Sequence, residues 1–142
     1  MNTMIKDIHA RALIDCKGKP LLEVDVITED GIMGRGASPS GISAGEHEAL
    51  VLRDGDKNWY DGQGVFKAVD TVKRVVAPML RGMNVLDQKK IDEALISLDG
   101  TKNKSVLGGN VTYSTSLAAM RVACQTLHLS QYRYLNGGEI KT

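Results

Sequence analysis

The first third of the chain alternates between apolar and polar positions with a period of two. This alternation predicts half-buried strands over residues 5–14, 22–26 and 32–37. On the first strand, one face carries Ile8, Ala10, Ala12 and Ile14, and the other carries Asp7, His9 and Arg11. A strong hairpin signal, Asp30-Gly31, separates the last two strands. The pattern therefore predicts a small antiparallel sheet with one solvated face.

From residue 63 onward, the apolar spacing changes to the period of helices. A wide apolar stripe predicts a first helix from Gln63 to near Gly82. A second helix is expected from an N-cap at Asp87 to Asp99-Gly100. A third helix is expected to start near Asn110. The residues expected on its inner face are Tyr113, Leu117, Met120, Cys124 and Leu127.

Two shorter segments complete the prediction. Residues 46–52 have the composition of a short helix, and a glycine pair at 137–138 closes a last helical piece. Because strands precede helices along the chain, the fold class is α+β, with a three-stranded antiparallel sheet followed by three to four helices packed on one face. We expect a single domain over residues 1–142, with the sheet at 4–37 and the helices at 63–136.

Composition and charge exclude several classes of function. The 142 residues carry a net charge of +1 and are 42% apolar. The apolar fraction is large enough for a hydrophobic core. The net charge is too small to indicate a nucleic-acid or membrane-surface partner. The N-terminus mixes charge into every turn and predicts neither a signal peptide nor a membrane span. Cys16 and Cys124 lack the spacing of a metal or redox site, so we expect reduced thiols in a soluble cytoplasmic protein.

The usual catalytic motifs are absent from the sequence. It contains no phosphate loop, and His9, His47 and His128 lack metal-ligand spacing. The unusual stretch is SPSGISAGEHEAL, residues 38–50, in which serines and glycines surround a proline and acidic residues follow. This composition suits neither a strand nor a helix. From the residues alone, the stretch is either a surface connection or a mobile flap.

Six segments in one register resemble enolase, over nearly the whole chain. They are IHARALIDCKGKPLLEVDV (8–26), PSGISAGEHEA (39–49), RDGDK (53–57), IDEAL (91–95), LDGT (98–101) and NKS (103–105). The chain is similar to the small N-terminal capping domain of enolases, which is joined to a larger α/β barrel. The resemblance implies, as the parent activity, magnesium-dependent dehydration of 2-phosphoglycerate to phosphoenolpyruvate in glycolysis.

The resemblance also implies where the chemistry belongs. In enolases a lysine acts as the base that removes a proton, and two Mg²⁺ ions stabilise the negative charge that builds on the substrate carboxylate. The lysine, the acid and the ligands of the first metal all belong to the barrel. We therefore expect that the barrel domain is absent, that none of the catalytic residues is in this chain, and that the chain alone is inactive.

By the same resemblance, residues 38–47 form a flap that closes over the substrate. The expected flap residues are Ser40, Gly41, Ser43, Gly45 and His47. Ser43 is expected to supply oxygens to a second Mg²⁺, only with a barrel partner, and Arg11 to pair with a carboxylate across a dimer interface. The expected partners are a second copy in a homodimer, or an enolase barrel or subunit. Magnesium is the expected cofactor.

The sequence departs from the enolase pattern at several positions. Ala44 replaces a threonine, and Thr112, Ser114 and Thr115 enter an otherwise apolar helix start. Because buried polar groups need partners, we expect this surface to face water or something other than a barrel. Two alternatives to the capping role stay open. One is a freestanding module that self-associates or binds an enolase subunit as a regulator or scaffold. The other is a binder of phosphate or Mg²⁺ without chemistry.

Overall fold

The computed structural model describes residues 1–41 and 43–137. Its sheet has three antiparallel strands in the order β1-β2-β3, which confirms the predicted sheet. The strands are β1 (Ile5–Ile14), β2 (Pro20–Thr28) and β3 (Met33–Ser38). Gly31 has a φ of +79°, a conformation that glycine adopts without strain, and it makes the tight turn into β3 possible.

The central strand β2 supplies the middle of the core. Its fully buried inward side chains are Leu22, Val24 and Val26. On β1 the predicted apolar face is buried at Ile8 and Ala10, but Ile14 is 53% exposed. Ile14 pairs with Pro20 at the end of the sheet, where an open groove lies beside the strand. The alternation therefore identified the inner face correctly but not how far along β1 the core extends.

The outer face of the sheet is less solvated than expected. Asp25 lies on this face and is only 3% exposed. Two arginines, Arg11 and Arg35, lie over its carboxylate and donate hydrogen bonds to it. Alternation alone identified a polar face here, but not that one of its charges is covered by its neighbours.

The helical half of the chain confirms the α+β class. After a 3₁₀ turn at Tyr60–Gly62, the helices are α1 (Phe66–Thr71), α2 (Ala77–Leu80), α3 (Gln88–Asp99), α4 (Gly109–Thr126) and α5 (Gln131–Leu135). A π-helical turn at Val72–Val76 links α1 to α2, so the predicted first helix continues from residue 66 to 80. Helices α1 and α2 pack against β1, α4 packs against β2 and β3, and α3 packs on α4.

The ends of the second helix lie where the sequence predicted them. Asp87 caps α3 by accepting a hydrogen bond from the Lys90 backbone N–H at 3.4 Å, and Gly100 ends it with a φ of +68°. Gly138 of the last predicted glycine pair lies outside the described residues. None of the described helices is long and apolar enough to cross a membrane.

The predicted inner face of α4 is wrong. Tyr113 is 56% exposed and Leu127 is 43% exposed; of the predicted inner residues, Cys124 is buried and Leu117 and Met120 are only partly covered. The buried residues are mostly small: Asn110, Val111, Ser114, Thr115, Ala118, Ala119, Val122, Ala123, Cys124 and Thr126. The reason lies in β3, where a Cβ at either of two glycines, 34 and 36, would collide with backbone atoms of α4. Helix and strand therefore approach backbone to backbone, and large side chains do not fit between them.

The polar residues at the start of α4 were expected to lie on an outward-facing surface. The structure shows otherwise. Ser114 and Thr115 are fully buried inside the domain. The Ser114 hydroxyl donates to the Leu22 carbonyl oxygen at 3.4 Å, while the Thr115 hydroxyl has no partner among the described residues. Thr112 is half-buried and donates to the backbone of the preceding turn of its own helix. The Ser114 hydroxyl therefore faces the sheet, and the Thr112 hydroxyl faces its own helix.

Residues 46–52 do not form the predicted short helix. The segment is held instead by long-range hydrogen bonds. The Leu50 N–H donates to the Asn103 carbonyl at 2.8 Å, and the Leu50 carbonyl accepts from the Gly109 N–H at 2.6 Å. Since the backbone of Leu50 bonds to distant partners, an internal helical pattern is not available to it.

Candidate functional site

The flap follows β3 directly and lies on the surface. Every described residue from Gly41 to Glu48 is exposed, and only a turn interrupts its irregular path. That turn is closed by the Glu48 N–H, which donates to the Gly45 carbonyl at 3.2 Å, and by the Gly45 N–H, which donates to Glu48 Oε2 at 2.9 Å. Neither Ser43 nor His47 makes a side-chain hydrogen bond to another described residue. Both side chains therefore remain available to a ligand.

The two flap glycines are not required by the conformation seen here. Neither Gly41 nor Gly45 has a positive φ. A Cβ on Gly45 would meet no atom within 4 Å, and one on Gly41 would lie at an ordinary distance of 3.4 Å from the Ser43 carbonyl oxygen. If glycine is needed at these positions, the need comes from another conformation of the flap.

The base of the flap is held by Arg53. One guanidinium nitrogen donates to the Pro20 and Gln63 carbonyl oxygens, each at 2.6 Å, and the other donates to Ser40 Oγ. One side chain thus joins the flap, the start of β2 and the loop before α1. Burial lowers the pKa of Arg53, although a guanidinium stays charged at any physiological pH. Ser40 is therefore half-buried and held by Arg53, and its role in a flap stays a prediction.

Sequence reasoning did not find this role for Arg53. Its partners lie 13, 33 and 10 positions away along the chain. The available signal was the RDGDK segment, whose first residue follows the flap closely. Patterns of local spacing do not indicate which distant carbonyls a half-buried arginine binds.

The next residue of the same segment, Asp54, caps α1. Its carboxylate accepts from the Phe66 N–H at 3.0 Å and from the Lys67 N–H at 2.7 Å. Carboxylates stabilise a helix N-terminus because the first N–H groups have no partner within the helix. The Asp54 N–H also donates to the Gly64 carbonyl at 2.9 Å. The segment that follows the flap is thereby fixed to the helical layer.

Asn110 anchors the far side of the same segment. Its side-chain oxygen accepts from the Leu52 N–H at 3.0 Å, and its nitrogen donates to the Leu52 carbonyl at 3.1 Å. The amide thus pairs with the backbone of Leu52 as a neighbouring strand would. Asn110 is itself 2% exposed, so this contact belongs to the core.

Asp99 organises the loop between α3 and α4. Its carboxylate accepts from the backbone N–H groups of Thr101, Val106 and Leu107, at 3.0, 3.1 and 2.7 Å. Burial raises the pKa of Asp99, but these hydrogen bonds together with one from the Thr101 hydroxyl outweigh it and lower the pKa. The Ser105 N–H in turn donates to the Thr101 hydroxyl at 2.9 Å. The LDGT and NKS segments of the sequence thus have a structural role in this loop.

Arg11 lies in an ion-pair network on the outer face of the sheet. It donates to Glu23 at 2.6 Å and to Asp25, which also accepts from Arg35 at 2.7 and 3.0 Å. Burial raises the pKa of Asp25, but the hydrogen bonds from Arg35 and Arg11 outweigh it and lower the pKa to about 2. Both carboxylates on Arg11 belong to its own chain. Its role at a dimer interface stays a prediction.

The donors around the flap suit a hard cation only in part. The Ser43 hydroxyl and carbonyl are oxygen ligands of the kind Mg²⁺ prefers. The carboxylate of Glu48, directly after the flap, accepts a hydrogen bond from the Gly45 N–H through Oε2. Within residues 1–41 and 43–137, no group of three or more His, Cys, Asp or Glu side chains is placed to hold a metal ion. These residues fit a site that is completed by other ligands.

The described features define a class of protein: an α+β domain whose three-stranded sheet carries a surface flap at the end of β3, anchored at both ends to the core. The family model for the enolase N-terminal domain matches residues 5–135 of the 142. The chain belongs to that family, as the resemblance indicated.

Proposed function

We propose that this chain serves as the flap-bearing capping domain of an enolase-type lyase, in the conversion of 2-phosphoglycerate to phosphoenolpyruvate. The observation that carries the proposal is the family match over residues 5–135. The anchoring of the flap supports it. Ser40 is fixed by Arg53 at one end and Leu50 by Asn103 and Gly109 at the other, while Ser43 between them is exposed.

This arrangement suits a lid. Because both ends of the flap are fixed to the core, its interior can move without disturbing the packing of the domain. A flap that closes over a charged substrate excludes water and strengthens the electrostatic interactions beneath it. His47, exposed near the end of the flap, would contact the substrate in the closed position.

Ser43 is the residue through which the flap would meet the metal. Its hydroxyl and carbonyl oxygens would hold a second Mg²⁺ together with phosphate oxygens of the substrate, since Mg²⁺ commonly takes only one or two protein ligands beside substrate phosphates. When bound, the ion neutralises negative charge on the substrate. The proton-abstracting lysine and the remaining metal ligands would come from a barrel, so the chain alone would be inactive.

Complementation in trans tests the proposal. A barrel domain expressed without its own N-terminal domain is mixed with this chain, and phosphoenolpyruvate is followed by its absorbance in the presence of Mg²⁺. We expect neither part alone to turn over substrate and the mixture to do so. Ser43→Ala should lower the rate by about 10- to 100-fold, as when other contacts that orient a metal site are lost.

Ser97→Ala is the matched control, because Ser97 is an exposed serine on α3, outside residues 38–47. It should leave the rate unchanged. Robust activity of the 142-residue chain by itself would contradict the assignment of the base to a barrel. An equal rate for Ser43→Ala and the parent chain in the mixture would contradict the role of Ser43.

A further inference from the structure

The segment that follows the flap rests on the loop between α3 and α4. The Leu50 N–H donates to the Asn103 carbonyl oxygen at 2.8 Å, and the Leu50 carbonyl accepts from the Gly109 N–H at 2.6 Å. Asn103 belongs to that loop, here called the support loop (residues 99–107), and Gly109 is the first residue of α4. The support loop and the start of α4 therefore satisfy both backbone polar groups of Leu50.

The support loop is strained at Lys104, which has a φ of +58°. Non-glycine residues adopt this left-handed conformation at a cost, and such strain persists where the surrounding structure imposes it. The Lys104 carbonyl accepts from the Gly108 N–H at 2.9 Å, and its ammonium donates to the Thr101 carbonyl at 3.2 Å. Because Lys104 directly follows Asn103, its φ sets the direction of the peptide unit whose carbonyl oxygen receives the Leu50 N–H.

Side chains hold the rest of the support loop in one conformation. The Asp99 carboxylate accepts from three backbone N–H groups of the loop, and the Thr101 hydroxyl accepts from the Ser105 N–H at 2.9 Å. The Thr101 hydroxyl also donates to Asp99. Segments whose polar groups are bonded internally open less readily than segments bonded only to water. These hydrogen bonds are therefore the part of the structure that imposes the conformation of Lys104.

Two glycines after the support loop let residues 49–52 lie directly on the start of α4. A Cβ on Gly108 would lie 2.6 Å from the Leu52 Cβ, and a Cβ on Gly109 would lie 2.7 Å from the Ala49 Cβ. Carbon atoms that are not bonded approach only to about 3.5–4.0 Å. Any larger residue at these positions would therefore displace the segment that follows the flap.

We propose that the support loop positions the flap for closure, with Lys104 as the positioning residue. The left-handed turn at Lys104 holds the Asn103 carbonyl where it fixes Leu50, so the flap closes from a fixed end and brings Ser43 to one place. Small displacements of groups that contact a substrate lower the rate strongly, even when they arise far from the chemistry. The effect on the reaction rests on the proposed function, whereas the coupling of Lys104 to Leu50 does not.

Lys104→Val and Lys104→Asn form a matched pair that tests the coupling. Both remove the ammonium, but a β-branched residue strongly disfavours a positive φ, whereas asparagine tolerates it. Hydrogen–deuterium exchange of the Leu50 amide is measured in the full chain under native conditions. We expect exchange at least about tenfold faster than in the parent chain for Lys104→Val, because the hydrogen bond to Asn103 is lost. For Lys104→Asn it should stay within about twofold of the parent chain.

Ile5→Val controls for a general loss of stability. Ile5 is buried and pairs with Thr28, whereas Ser38, where the flap begins, pairs with Leu22 toward the other end of the sheet. The variant should melt a few degrees earlier and leave exchange at Leu50 within about twofold, because this amide opens locally. If circular dichroism shows that Lys104→Val is unfolded, Thr101→Val takes its place, since it removes the hydroxyl that bridges the support loop.

Mixing each variant with the barrel domain gives a KM for 2-phosphoglycerate. Partial unfolding lowers the amount of active complex without changing KM, whereas a displaced flap should raise KM. We expect KM to rise at least about fivefold for Lys104→Val and to stay unchanged for Lys104→Asn and Ile5→Val. Equal exchange at Leu50 in the matched pair overturns the proposal, as does faster exchange with an unchanged KM. A parent mixture without activity refutes the proposed function instead, and the exchange rates alone then decide whether Lys104 fixes Leu50.

Discussion

Replacing Arg53 should release the flap base and weaken the domain at the same time. In Arg53→Ala, three acceptors lose their donor: the carbonyl oxygens of Pro20 and Gln63 and the hydroxyl of Ser40. The first belongs to a buried residue, the second to an exposed one and the third to a half-buried one. These different environments decide what each lost bond costs.

The expected loss is about 3 kcal/mol. A buried acceptor left without a donor costs about 1–3 kcal/mol, whereas water replaces the donor at an exposed carbonyl and about 1 kcal/mol is lost at a half-buried hydroxyl. For a domain of this size, a loss of about 3 kcal/mol lowers the melting temperature by about 10 °C. Arg53→Lys should recover only part of this, because an ammonium cannot match the planar fork of the guanidinium.

Two measurements separate the flap effect from the stability effect. Thermal unfolding followed by circular dichroism gives the loss of stability, and ¹⁵N relaxation gives the order parameters of the Ser40 and Gly41 amides. In Arg53→Ala we expect the stability and the order parameters of both amides to fall. In Ser40→Ala the order parameters should fall while stability changes by about 1 kcal/mol. If Arg53→Ala melts early but leaves these order parameters unchanged, Arg53 supports the core and does not clamp the flap.

Three further predictions follow from the core contacts. Asp25 has a pKa of about 2 in the folded chain, below its unfolded value near 3.9. Its ionised form therefore contributes about 2 kcal/mol to the unfolding free energy above pH 4, and this contribution is lost as the pH falls toward 2. When the unfolding free energy from urea titrations is plotted against pH, Asp25→Asn should flatten the acidic side of the curve. Gly36→Ala should cost about 3 kcal/mol or more by forcing the backbone of Ser114 away, visible as early thermal melting. Asn110→Ala leaves both backbone groups of Leu52 unpaired and should lower unfolding free energy by about 2–4 kcal/mol, with increased amide exchange at Leu52.

The sheet could be predicted from the sequence because its signal is local. Alternation with a period of two fixes which side of a strand is apolar, and the glycine at position 31 fixes the turn before β3. The same holds for α3, whose cap at Asp87 and stop at Gly100 lie within a few residues of the helix they bound. Residues close to one another along the chain determine these features, so a short stretch of sequence is enough to predict them.

The inner face of α4 could not be predicted in this way. Large apolar side chains such as Tyr113 and Leu127 were assigned to the core because burial usually rewards size. The deciding residues, Gly34 and Gly36, lie about 80 positions earlier and act by letting two backbones meet. That contact turns the helix so that alanine and serine face inward, and no pattern within α4 records it.

The anchors of the flap were hidden for a related reason. Arg53 and Asn110 each replace a regular hydrogen-bonding partner for a distant stretch of backbone. Their residue types are common in exposed loops, and only the folded chain shows which carbonyl or N–H each one meets. The resemblance to enolases identified the segments that matter, and the contacts supply the physical reason for two of them.

Substitutions at the anchors of the flap should have different effects from substitutions in its interior. A change at Arg53 or Asn110 alters hydrogen bonds that also hold the core, so stability and flap position should change together. A change at Ser43 or His47 removes no side-chain hydrogen bond to the described residues, so stability should be unchanged whatever happens to ligand binding. A flap built this way separates the residues that set its path from those that meet the ligand. The exposed serine and histidine thus contribute little to the stability of the fold, while the path of the flap and of the segment after it depends on a half-buried arginine and a buried asparagine.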